Sequence, residues 1–98
     1  MTDAGVTLCA IFRIPAIGVA TFQTYERAVL PLLADHGGTL QRRLRTDDGT
    51  TEVHVIRFPS ASEVEAFRVD PRRQAQEGLF DASGAVAEVL TVVDAGSQ

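Results

Sequence analysis

Nine residues near the start of the chain, Val6 to Ile14 (VTLCAIFRI), run almost without a polar break and are rich in β-branched side chains. Their length and composition predict a central strand covered on both faces, and Pro15 ends it. Alternation sends Val6, Leu8, Ala10, Phe12 and Ile14 to one face and Thr7, Cys9, Ile11 and Arg13 to the other.

The remaining elements follow from periodicity and punctuation. Thr21 can cap a helix running to about His36, with Phe22, Tyr25, Val29, Leu32 and Leu33 on one stripe and Gln23, Glu26, Arg27 and Asp35 mostly off it. Pro31 removes one backbone hydrogen bond and predicts a kink near Arg27 and Ala28. Gly37-Gly38 supplies a left-handed stop. Thr39 to Thr46 reads as a polar edge strand, Asp47-Asp48-Gly49 as a turn, and Glu52 to Phe58 as the hairpin partner. Ser60 and Glu63 form a capping-box pattern that opens a helix to about Asp70. Pro71 starts a further short turn, Gly78 to Gly84 is irregular or a short helix, and Ala85 to Asp94 is the last strand.

Strand, helix, strand, strand, helix, strand is the order of a ferredoxin-like α+β domain with a four-stranded antiparallel sheet. Its 98 residues suit one domain, 1–98, with a core over about 6–94 and flexible ends. All helices then lie on one face, and the bare apolar face opposite predicts a homodimer closed into an α/β barrel, with a cavity between or beside the sheets. The first and third strands are expected as parallel central neighbours.

Charge and cysteine usage exclude several functions. A formal charge of −4 argues against nucleic-acid binding, which needs a basic surface. All nine basic residues are arginine, which reflects either a GC-rich coding sequence or a need for bidentate anion contacts. Cys9 is the only cysteine, which fits a reducing compartment. No stretch approaches the ~20 apolar residues of a membrane span, and no basic-then-apolar leader stands at Met1 to Gly5. The chain is therefore read as cytoplasmic, with no membrane partner.

Two segments carry a family resemblance. Phe22-Gln-Thr-Tyr25-Glu with Leu30-Pro-Leu-Leu33 and His36-Gly-Gly38 resembles the first helix of the Domain of Unknown Function 1330 family. Arg57-Phe58-Pro59-Ser60, then Glu63 to Phe67 and Asp70-Pro71, resembles that family's third strand and second helix. The resemblance spans about Leu8 to Val93 and implies a dimeric α/β barrel. Relatives by fold include cofactor-free monooxygenases, haem-degrading enzymes, lactone isomerases and cyclases of natural-product pathways. Arg72 and Arg73 stand where the family often has an acidic and an aromatic residue, and Arg57 where an acidic one is common. The quinol monooxygenases and haem degraders of this fold use an Asn-Trp-His set, and this chain has neither Trp nor Asn.

Four residues are candidates for chemistry. Arg13 and Arg57 each lie near a strand end on the barrel side, and two guanidinium groups brought together there repel unless an anion lies between them. Glu88 or Asp94 would make that a structural salt bridge; a bound carboxylate or enolate would make it a ligand site. His54 sits mid-strand on the face of Ile56 and Phe58, either as a structural histidine or as a general base. Tyr25 lies on the helix stripe, as core or with its hydroxyl at a pocket.

The other readings are structural. His36 is a helix-end residue near the dipole, Cys9 a small core or cavity-lining side chain, and Arg42, Arg43 and Arg45 an edge-strand charge cluster that blocks further pairing. The two histidines and the cysteine lack zinc-site spacing, and no phosphate loop, nucleophile elbow or nucleotide fingerprint is present. The expectation is a small cofactor-free, metal-free enzyme. It would bind a hydrophobic oxygenated molecule in the barrel and promote proton transfer, cyclisation or isomerisation. The alternative is a non-catalytic dimeric binding or accessory module.

Overall fold

The computed structural model describes residues 5–96. The expected flexible ends and the reading of the first four residues fall largely outside the described residues. Strands β1 (Val6–Arg13), β2 (Thr39–Arg45), β3 (Thr51–Phe58) and β4 (Val86–Val92) form one sheet in the order β2-β3-β1-β4. Helices α1 (Val19–Val29), α2 (Ala61–Arg68), α3 (Pro71–Gln74) and α4 (Glu77–Ser83) cover one face. This is the expected ferredoxin-like α+β fold.

One expectation about the sheet is corrected. β1 and β3 are neighbours but antiparallel, with Arg13 opposite Thr51 and Thr7 opposite Arg57. Helix α1 carries the chain back, so β2 runs parallel to β1, and the tight hairpin then reverses β3. Alternation along β3 is strict: Glu52, His54, Ile56 and Phe58 are buried toward the helices, and the residues between them face the other way. From β1, Leu8, Ala10 and Phe12 share the helix side with them.

The first helix differs from its predicted form. Its N-cap is Gly18, with no side-chain cap, and Thr21 lies inside it. Gly18 allows the helix start to press against the Ser83 backbone carbonyl, where any Cβ would collide. Pro31 does not kink a continuous helix. The α-helix ends at Val29, and Leu30–His36 winds on as a 3-10 turn, because Pro31 cannot donate to the carbonyl four residues back. Gly37, at φ 70°, closes it as expected. Half of the capping box is present: the Ser60 hydroxyl accepts from the Glu63 amide at 3.4 Å.

The core has two parts. Ile14, Phe22, Tyr25 and Val29 pack with Phe12 and Phe80 at one end; Leu33, Ile56 and Phe58 pack with Leu40 and Phe67 at the other. Between these aromatic groups the helix layer does not close, and Val89 on β4 stays 57 % exposed on the helix side. No helix among the described residues is long and apolar enough to cross a membrane.

Candidate active site

A cavity of about 730 Å³ lies between the sheet and the helices of a single chain. Ala10, His54 and Ile56 form its floor, α1 contributes Phe22 and Tyr25, α4 contributes Phe80, and Arg73 enters from α3. This cavity is on the helix side of the sheet. A cavity of this size is within the range that holds small organic ligands.

The walls are aromatic. Phe12 lies 5.2 Å from Phe22 and 5.0 Å from the His54 ring, and Phe80 lies 5.3 Å from Tyr25, centroid to centroid. Tilted rings at these separations present edges and faces together, which suits a flat apolar guest.

Behind His54 lies a buried charged cluster. Glu26 from α1 and Glu52 from β3 are 2 % and 1 % exposed. Arg43 Nε and Arg45 Nε each donate to Glu52 at 2.9 Å, and Arg43 also meets Glu26 at 3.1 Å. The hairpin register sets this up, since Arg43 faces His54 and Arg45 faces Glu52. Burial alone would raise the Glu52 pKa, but hydrogen bonds involving Glu26, His54, Arg43 and Arg45 hold it well below the usual carboxylate range. Glu26 shifts the opposite way: burial raises its pKa, and the adjoining Glu52 adds to that, against His54 and Arg43.

Glu52 is a carboxylate and can only accept, so His54 Nε2, 2.7 Å away, donates to it. Glu26 Oε2 lies 3.1 Å from the same nitrogen, but the single N–H is aimed at Glu52, and Glu26 Oε2 is left buried without a donor. With Nε2 donating to Glu52, Nδ1 is the ring nitrogen left to act as a base, the arrangement of a histidine oriented by a carboxylate. Glu26, Glu52 and His54 also bring three potential metal-binding atoms within 4.8 Å of one another, a grouping the residue spacing did not suggest. The Arg43 and Arg45 guanidinium groups already meet these carboxylates and oppose a cation at the same point.

Tyr25 is 8 % exposed and lines the cavity. Burial raises its pKa, and the nearby Arg73 guanidinium opposes that. A neutral phenol keeps its own proton to donate.

Arg13 and Arg57 are not brought together. Both lie on the helix-free face, as expected, but at opposite ends of the strand pair. Arg57 pairs with Thr7 and donates to its hydroxyl at 3.1 Å, whereas Arg13 is exposed six positions further along β1. At about 3.4 Å per residue the gap is roughly 20 Å, beyond the screening length in ordinary buffer. The antiparallel direction of β1 and β3 removes the shared anion site.

Other residues also settle. Arg42 faces away from the cluster, beside Val55, while Arg43 and Arg45 hold buried carboxylates as well as guarding an edge. His36 Nε2 meets Asp70 at 2.8 Å, tying the 3-10 turn to the residue that caps α3. Cys9 is a partly buried thiol on the helix-free face.

No family model matches the sequence, and no curated protein does; the resemblance drawn from the first helix and third strand therefore gains no support. Solved structures do match. SnoaB, a cofactor-independent oxygenase from Streptomyces nogalater, is 14 % identical over 96 % of each chain, with a TM-score of 0.78. A protein provisionally assigned as an antibiotic biosynthesis monooxygenase from Caulobacter crescentus is 11 % identical over 94 % of this chain and 92 % of its own, at 0.74. Rv0793 from Mycobacterium tuberculosis is 18 % identical over 95 % and 99 %, at 0.67. At these identities the likeness defines the fold, a ferredoxin-like sheet with one helical layer.

Proposed function

We propose that the chain is a cofactor-free enzyme that moves a proton at a carbon beside a carbonyl in an apolar, oxygen-bearing molecule. That step opens an isomerisation or cyclisation. The observation that carries this reading is the joint placement of His54 and Tyr25 in one aromatic cavity, with His54 Nε2 held by ionised Glu52. The likeness to SnoaB, described as cofactor-independent, is consistent with chemistry done by side chains alone.

In this mechanism His54 Nδ1 takes the proton from carbon. The electron pair of the C–H bond moves to the carbonyl oxygen, giving an enolate, and the Tyr25 hydroxyl donates to that oxygen. Glu52 stabilises the imidazolium that forms. Return of the proton to the same or a different carbon completes the transfer and restores neutral His54. The apolar walls exclude water, which strengthens each of these contacts.

The chain is further proposed to act as a homodimer. The helix-free face of the sheet carries Ile11, Val53 and Val55 at its centre, flanked by Leu44 (47 % exposed) and Leu90 (43 % exposed). A second copy packed on that face would leave the cavity of each chain on the outside of the barrel.

The catalytic reading is tested with 2-tetralone, a bicyclic ketone with acidic C–H bonds, incubated with the protein in D2O. Mass spectrometry then follows deuterium uptake. The protein is expected to accelerate exchange over buffer, and His54→Gln to lower the rate about 10²- to 10⁴-fold. Exchange no faster than buffer, or unchanged in a folded His54→Gln variant, contradicts it.

A further inference from the structure

Arg73 is the one guanidinium lining the cavity whose charge no carboxylate answers among the described residues. Arg68 meets Glu65 at 3.4 Å, and neighbouring Arg72 meets Asp70 and Asp35 at 2.8 and 2.9 Å. Arg73 instead lies 5.3 Å from the Phe67 ring centroid and donates from Nη1 to the Arg68 carbonyl at 3.2 Å, with the Tyr25 phenol close enough to respond to its charge. Its Nε is buried and meets no acceptor among the described residues. A guanidinium has five N–H donors, and one carbonyl oxygen does not use them all.

A partly buried cation is stabilised by an ion pair or by water, and here an apolar ring covers one face. Such a group has the greatest gain from an anion delivered into the cavity. We propose that the ligand of this cavity carries a carboxylate, which binds Arg73 while its apolar body lies among Phe12, Phe22 and Phe80. One guanidinium beside one phenol O–H matches a monoanion with two acceptor oxygens. A phosphate dianion would call for more cations than the site presents. Glu77 and Asp81 also line the cavity, but both are exposed, so solvent screens them, and they leave Arg73 as the anion's point of contact.

The inference rests on the cavity being the ligand site and adds the ligand's charge. Isothermal titration calorimetry with 2-naphthoate and its neutral isostere 2-naphthamide tests it. The acid is expected to bind roughly 10- to 100-fold more tightly than the amide. Arg73→Gln should abolish that preference, leaving acid and amide with similar affinities. Arg73→Lys, which keeps the charge but loses the planar fork, should keep part of the preference and serves as the control if the glutamine variant does not fold.

Equal affinity for acid and amide, no detectable binding of the acid at millimolar concentration, or a preference that survives in both variants overturns the proposal. The catalytic reading fails separately. Acid selectivity without deuterium exchange of 2-tetralone leaves Arg73 as an anion site in a binding protein; exchange without acid selectivity removes the Arg73 assignment alone.

Discussion

A Glu52→Gln substitution removes a buried carboxylate that meets three close donors: His54 Nε2 at 2.7 Å and Arg43 Nε and Arg45 Nε at 2.9 Å. Removing one partner of a fully buried ion pair costs about 3–5 kcal/mol. Here the arginine side chains are 40 % and 38 % exposed, so water recovers part of their solvation. The expected loss is about 2–4 kcal/mol, or roughly 10–25 °C in Tm for a domain of this length.

Glu26→Gln should cost far less, about 1 kcal/mol. An amide oxygen can still accept from Arg43 and Arg45, and burial already disfavours the Glu26 charge. The pH dependence has opposite signs at the two sites. The folded pKa of Glu52 lies below its ordinary 4.5, so its stabilisation is complete above about pH 4.5 and lost as pH falls through the folded value. The folded pKa of Glu26 lies above 4.5, so its contribution is present below that pH and lost as pH rises through the folded value.

Urea unfolding followed by circular dichroism from pH 3 to 8 should therefore show a shallower acid loss in Glu52→Gln than in the parent. It should show a higher midpoint at neutral pH for Glu26→Gln than for Glu52→Gln. Equal costs for the two variants, or the reverse order, refute the assignment of Glu52 as the ionised anchor.

Two other outcomes are expected. Tyr25 is the only tyrosine and the chain has no tryptophan, so near-ultraviolet absorbance reads its ionisation alone. The midpoint should lie above 10.0, with stability intact below that pH and falling as pH rises through the folded value; a midpoint at or below 10 contradicts its burial. Val55→Asp, at the centre of the helix-free face, should convert a dimer into a folded monomer in sedimentation equilibrium. A parent chain that already sediments at single-chain mass refutes the proposed pairing.

Much of the fold was legible because its determinants are local. Proline and glycine at 15, 37 and 59 mark element ends, and the period-2 pattern of β3 puts His54 on the side of Ile56 and Phe58. Parts of the site were also legible but were obscured by residue type. Glu26 falls on the stripe of Phe22, Tyr25 and Val29 by spacing, and its charge argued it away from a buried face. Glu52 shares the alternation of His54, and a hairpin places Arg45 directly across from it.

The antiparallel direction of β1 and β3 follows from a crossover and a tight turn taken together, not from either strand alone. Arg73 was not legible. Its place in the cavity depends on how α2, α3 and α4 pack around Asp70 and Pro71, a tertiary arrangement with no signature in local sequence. The same holds for the opening over β4, where Val89 is apolar and yet left uncovered.

The proposed ligand chemistry belongs to the helix side of the sheet. A titration of the isotopically labelled protein with 2-naphthoate, followed by heteronuclear NMR, reads both faces at once. Side-chain signals of Ala10, Phe12, His54 and Val89 are expected to move, while those of Ile11, Val53 and Val55, one position along the same strands, stay still. Movement confined to the second set would place the binding site on the opposite face and contradict the account.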